Sequence, residues 1–348
     1  MGSDLFPIDL RSDTVTKPSA EMRKAMSEAE VGDDVYVEDP TVLRLEKTAA
    51  ELLGKEAALY VTSGTQGNLV SILTHCSRGD AVILGRDSHI MCNEGGGLCA
   101  LGGLVPITAD DSKGLPSVAD LDRILPSTDN VHLARAKLLC VENTHNRCRG
   151  HASSPEEISE LAGWARKRGL CVHMDGARLF NAAVALGVKP SELVKGVDSV
   201  QICLSKGLGA PMGSLICASS DVIGEARFWR KKVGGGLRQA GIVASAGLFA
   251  LSRNVDRLAD DHANAQSILA IFKEGGIPVS KVGRPTNMVY FSAPNEESAN
   301  NLITACKKRG VIFGKAARLK FRLATHLNVS REQAQAAAKI IVEEYRAL

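Results

Sequence analysis

Seven short apolar runs, most of them separated by segments of helical character, restrict this chain to a layered α/β architecture. They are Ala57–Val61, Ala81–Leu84, Val105–Thr108, Leu138–Val141, Cys171–Met174, Ser199–Cys203 and Ser214–Cys217. Runs of this length are too short for helices and apolar enough to be strands inside a large sheet. The intervening helices carry start signals. In Ser154-Pro155-Glu156-Glu157, a proline at the first helical position has no amide hydrogen to leave unpaired, and the acids suit the positive helix end. That helix is predicted to run to about Arg168 and stop at Gly169. After Arg253 the pattern changes. A helical segment over Val255–Lys273, a strand at Met288–Phe291, a helix at Glu296–Arg309, a strand at Lys320–Ala324 and a helix at Arg331–Tyr345 predict a smaller α+β domain. The expected organisation is an N-terminal segment over 1–20 that joins the small domain or a partner subunit, a large domain over 21–252 and a small domain over 253–348.

Composition narrows the function classes. The 348 residues are 45% hydrophobic and 23% charged, ordinary for a globular enzyme. A net charge of +3 without a like-charge block argues against nucleic acid. No apolar run approaches a membrane span, and the first residues lack a leader-peptide core and a myristoylation pattern. Nine cysteines without a Cys-x-x-Cys pair predict reduced thiols in a cytoplasmic protein, with no metal site.

Chemistry is written where the predicted strands end. Cys171–Met174 runs into Asp175-Gly176-Ala177-Arg178, and Ser199–Cys203 runs on to Ser205-Lys206-Gly207. A carboxylate at one strand end and an amine at the next suit pyridoxal 5′-phosphate: the acid keeps the ring nitrogen protonated, and the lysine bonds the aldehyde. An ammonium after an apolar strand is costly without a purpose, and desolvation there would favour imine chemistry. Ser63-Gly64-Thr65-Gln66-Gly67 follows a strand and opens a helix, a geometry that suits a phosphate or an ordinary capped turn. His89 and His145 lie just beyond two further strands. Histidine can stack on a pyridine ring or act as a base there, or simply cap a helix. Sites in open α/β sheets lie beyond the carboxyl ends of strands, so His89, His145, Asp175 and Lys206 converge on one edge. Arg178 either pairs with Asp175 or holds a phosphate or carboxylate. Arg322, on an alternating strand, is structural or a clamp for an amino-acid carboxylate. Arg238, after three glycines, is a linker cation or an arm that reaches a phosphate. Gly207-Leu208-Gly209-Ala210-Pro211 has the wrong spacing for a dinucleotide loop, and no Gly-Lys-Ser/Thr loop for a nucleoside triphosphate occurs.

Six segments together resemble the low-specificity L-threonine aldolases, members of the fold-type-I pyridoxal-phosphate enzymes. They are Leu10–Pro18, Gly32–Thr41, Ser63–Asn68, Glu142–Asn146, Asp175–Arg178 and Arg322–His326, in the family's order. The resemblance implies a large domain with a mostly parallel seven-stranded sheet and retro-aldol cleavage of L-threonine, L-allo-threonine and other L-3-hydroxy-amino acids to glycine and an aldehyde. It implies that Lys206 bonds the cofactor, Asp175 meets its ring nitrogen and His89 stacks on the ring. Gly64, Thr65 and Arg238 take the phosphate, Arg238 from another subunit. Ser12, Arg178 and Arg322 surround the substrate carboxylate, His145 approaches the hydroxyl, and Tyr36 lines a neighbour's site. It also implies a homotetramer with sites at dimer interfaces. The chain departs from the pattern at Val37, where glycine is expected, at Cys92-Asn93 in place of aromatic character, and at Arg147-Cys148-Arg149 in place of a glycine-rich turn. A β-eliminating lyase, an aminotransferase or a racemase would share lysine, aspartate and phosphate loop, and a non-catalytic binding protein could keep the scaffold.

Overall fold

The computed structural model describes residues 7–348; the first six residues, on which the leader-peptide and myristoylation readings rest, lie outside the described residues. In chain order the strands are β1 (Ile8–Asp9), β2 (Ala57–Val61), β3 (Ala81–Gly85), β4 (Val105–Ala109), β5 (Ala136–Glu142), β6 (Cys171–Asp175), β7 (Ser199–Cys203), β8 (Ser214–Ala218), β9 (Met288–Ser292), β10 (Val311–Ile312), β11 (Gly314–Ala317) and β12 (Lys320–Ala324). All seven predicted runs of the large domain form one sheet, ordered β2-β8-β7-β6-β5-β3-β4. Neighbours from β7 to β4 are parallel, whereas β8 is antiparallel to both β7 and β2. Every strand except β8 therefore points its carboxyl end to the same edge. Strands buried on both faces need continuous apolar sequence; β3, β7 and β8 are buried along their whole length.

Helices cover both faces. The first two are α1 (Ala20–Ser27) and α2 (Pro40–Leu53). Asp39 caps α2 by accepting the amides of Thr41 and Val42, and Gly54 closes it in a left-handed conformation at φ +61°. Next is α3 (Gly64–His75), which packs on the sheet between β2 and β7. The helix expected after Ser154 spans Pro155–Arg166 with the full Ser154/Glu157 capping box. It stops two residues short of the expected Arg168.

The C-terminal layer has its own sheet, β11-β12-β9, antiparallel throughout. It packs on helices Leu258–Gly275, Glu296–Lys308 and Arg331–Arg346. Phe272, Phe291, Phe313 and Phe321 stack there in edge and tilted pairs, with centroids 4.8–5.9 Å apart. The N-terminal segment joins this layer: β1 runs parallel to β10, and Leu10 is buried in the same core. Further on, the Thr16 hydroxyl donates to the Lys206 carbonyl at 3.0 Å. Among the described residues, no helix is long and apolar enough to cross a membrane, and the nine cysteines are all unpaired.

Candidate active site

Five loops leave the common sheet edge after β2, β3, β5, β6 and β7. They bring Gly64 and Thr65, His89, Asn146, Asp175 and Lys206 towards one cleft, closed on the far side by β12 and Arg322.

Asp175, the last residue of β6, is 2% exposed. Its Oδ1 accepts the Ala177 amide at 3.0 Å, and its Oδ2 accepts the Asn68 side-chain amide at 3.0 Å. The Asn68 amide also donates to Glu94 Oε1 at 2.7 Å, and Glu94 takes His89 Nδ1 at 2.9 Å. His89, Glu94 and Asp175 thus gather with donor atoms within 4.8 Å of one another. The Glu94 hydrogen bond raises the His89 pKa against the opposing effect of burial, and burial raises that of Glu94. Behind Asp175 a buried relay continues: Asn68 Oδ1 lies 3.1 Å from His173 Nε2, His173 Nδ1 lies 2.9 Å from Ser199 Oγ, and Ser199 Oγ lies 2.8 Å from His75 Nε2. Burial pushes the His173 pKa down to about 3, so this ring is neutral.

Lys206 is half-buried on the loop after β7. Among the described residues its ammonium has no hydrogen-bond or ion-pair partner. At the start of α3, a Cβ on Gly64 would stand 2.7 Å from Cys203 Sγ, so the helix seats on β7 only with glycine there. Ser63 caps the Gln66 amide at 3.2 Å. The amides of Gly64 and Thr65 have no acceptor among the described residues, and Thr65 is exposed, so the helix start is open to an anion. A carboxylate for a ring nitrogen, an unpartnered amine and an open helix start are the donor set that pyridoxal 5′-phosphate requires.

The two arginines differ. Arg322 donates to Asn146 Oδ1 at 2.8 Å and to the Arg11 carbonyl at 3.1 Å; both partners are neutral. Tyr290 steadies the same loop by donating to the Asn146 carbonyl at 2.7 Å. Arg178 instead is buried, with Nε and Nη2 bonded to the two Asp13 oxygens at 2.7 and 2.6 Å. Burial opposes ionisation of Asp13, yet Arg178, with Lys206 and Arg322 nearby, holds its carboxyl well below the usual range. Asn287 adds a donor to Asp13 at 3.2 Å. Asp13 thus takes Nε and Nη2 of Arg178, while Nη1 has no hydrogen-bond partner among the described residues. Ser12 caps the short turn that carries Asp13, accepting the Thr14 amide.

His145 is not brought into the cleft. It is 1% exposed, with Nε2 2.7 Å from Asp111 Oδ2 and Nδ1 accepting the Cys148 amide at 3.1 Å. Both ring nitrogens are used, which removes it as a base for a substrate hydroxyl. Glu142 explains its placement, holding the His89 amide with one oxygen and the Asn146 amide with the other, at 2.7 and 2.8 Å. Tyr36 and Arg238 lie together on an exposed rim. Asp33 joins them, accepting the Tyr36 amide at 3.2 Å and Arg238 Nη1 at 3.0 Å. Tyr36 is 71% exposed. Its neighbour Val37 sits at φ +60°, which costs a β-branched residue roughly 1–2 kcal/mol. Sequence reasoning missed Asp13, Asn68, Glu94 and Tyr290; only Glu94, five residues beyond His89, left a local signal.

The model of the family described as β-eliminating lyase matches residues 9–294. The chain is 47% identical over 330 residues to the low specificity L-threonine aldolase of Escherichia coli (strain K12), covering 94% of this chain and 96% of that one. It is 45% identical to the probable low-specificity L-threonine aldolase 2 of Arabidopsis thaliana, covering 93% of each. Among solved structures, the threonine aldolase of Leishmania major superposes with a TM-score of 0.83 at 19% identity, over 97% of this chain and 99% of that one, and so shares the fold.

Proposed function

The chain belongs to the low-specificity L-threonine aldolase family, within the β-eliminating lyases, and from that premise we propose that it cleaves L-threonine and L-allo-threonine to glycine and acetaldehyde with pyridoxal 5′-phosphate. The observation that carries the reading is the Lys206 ammonium, without a partner among the described residues, on the same sheet edge as buried Asp175 and the open start of α3, where a phosphate can dock. When bound, the cofactor supplies an aldehyde for amines to condense with and a ring that takes up the electron pair of the broken Cα–Cβ bond.

The chain's own residues do the rest. Lys206 would hold the cofactor through its aldehyde, and its amine when free could hold and return the proton at Cα. Asp175, oriented by Asn68 and the Ala177 amide, holds a proton on the ring nitrogen. His89, fixed by Glu94, would pack against the cofactor's ring. Gly64 and Thr65 take the phosphate. Arg322 would hold the α-carboxylate and so orient the substrate at Cα. With His145 engaged elsewhere, the hydroxyl proton leaves through water in the cleft. Tyr36 and Arg238 act on a neighbouring copy in a homotetramer, a reading supported by their shared exposed rim. Nine unpaired cysteines support work in the reducing cytoplasm.

The test is incubation with L-threonine. Acetaldehyde and glycine are expected; ammonia and 2-oxobutanoate instead would establish β-elimination on the same scaffold. Lys206→Ala should lower acetaldehyde release by roughly a thousandfold or more and abolish the protein's absorbance near the visible edge. An unchanged spectrum in that variant removes the covalent assignment.

A further inference from the structure

A group of cations beside Arg322 has, apart from Arg322 itself, no role in the reaction as described. A cavity of about 460 Å³ opens beside Arg322 and Asn146, lined by Arg11, Arg147, Arg149, Lys315, Lys320 and Arg322, against a single carboxylate, Asp87. Some of this charge is already answered. Arg11 is paired with Asp9, Lys315 donates to Asn300, and Arg147 lies 3.7 Å from Asp87. Arg149, Lys320 and Arg322 have no acidic partner among the described residues. Like charges gathered around a concave space repel one another unless an anion is drawn in.

Arg149 bears two further penalties. It is held at φ +66°, where glycine is at ease, and its Nε is buried without a hydrogen-bond partner. The departures from the family's pattern also meet here. Asn93 accepts from Arg147 at 3.1 Å, and Asn93, Arg147 and Arg149 line the same cavity.

Resting on the aldolase reading, we infer that this cavity is a second anion site that takes the distal group of a larger substrate, so that the preferred substrates are L-3-hydroxy-amino acids with a carboxylate or phosphate beyond Cβ. The geometry leaves that group little choice. Arg322 fixes the α-carboxylate end, the amine would be committed to the cofactor, and the substituent on Cβ is the remaining variable part. Arg322 alone can hold one carboxylate by its fork, which leaves Arg149 and Lys320 for another anion. The reaction balances as before: the Cα–Cβ bond breaks, the hydroxyl proton leaves, Cα gains a proton, and the products are glycine and an anionic aldehyde.

Three substrates of similar length test this, with glycine as the common readout: 3-hydroxy-L-glutamate, 4-phosphooxy-L-threonine and neutral 3-hydroxy-L-norvaline, beside L-threonine. At least one anionic substrate is expected to exceed the norvaline in kcat/KM by tenfold or more, and which one does so separates carboxylate from phosphate. Arg149→Gly, which suits the left-handed backbone, should cut that ratio about tenfold, while Arg149→Lys should keep most of it. Glycine from L-threonine and the norvaline, with no anionic advantage, overturns the inference alone. No glycine from any substrate, L-threonine included, overturns the aldolase reading and this inference with it.

Discussion

Arg178 and Arg322 read alike in the sequence, as guanidinium groups facing one cleft, yet the fold treats them oppositely. Arg178 is ion-paired through Nε and Nη2 to the two oxygens of Asp13; among the described residues Arg322 is held by neutral oxygens. The histidines repeat the contrast. His145 has both nitrogens engaged in a buried cluster with Asp111 and Cys148, whereas His89 is half-buried and has one nitrogen without a partner among the described residues. Placement at the sheet edge is therefore not what separates a working residue from a structural one. The separation lies in capacity left over: a group whose donors and acceptors are all consumed within the protein has nothing to offer a ligand, and its worth is measured in stability.

That contrast can be broken by measurement. Asp13→Ala leaves the buried Arg178 charge alone and should cost about 3–5 kcal/mol of unfolding free energy in urea. A loss below 1 kcal/mol would mean Arg178 has other company and belongs with the working residues. His145→Ala removes the partner of buried Asp111 and should cost about 2–3 kcal/mol. Turnover per folded molecule should fall far less than in His89→Ala, where roughly a hundredfold loss is expected. A native unfolding curve with a hundredfold loss of rate in His145→Ala would reverse the assignment.

A smaller effect concerns pH. His173 binds its proton only near pH 3 in the fold, but near 6.5 when unfolded. Its contribution is whole above pH 6.5 and is lost as pH falls towards 3, at about 1.4 kcal/mol per unit from this one group. Unfolding free energy measured between pH 7 and 5 should therefore fall, and His173→Gln should flatten the slope. An unaltered slope in that variant would show that the relay behind Asp175 does not hold the ring neutral.

The sequence exposes the parts of the site that are local. Asp175 and Lys206 each follow an apolar strand, and Gly64 follows another, so their placement needs only the strand pattern and the rule about sheet edges. What it hides is pairing across distance. Asp13 and Arg178 are 165 residues apart, and nothing near either announces the other. Asp111, which reaches back 34 residues to close His145 off, is equally silent. His145 shares a strand-end position with Asp175 and Lys206 but is buried against a distant carboxylate. The C-terminal layer was legible in its strands and helices, but not in β11, whose four residues are mostly exposed and carry no apolar run.

The stretch from Ile8 to Thr16 is fastened at both extremes, by strand pairing to Val311 and Ile312 and by a hydroxyl to the Lys206 carbonyl, with Asp13 anchored midway. It behaves as a short strap between the outer layer and the floor of the cleft. A movement of the layer that carries Arg322 would therefore pull on the backbone at Lys206.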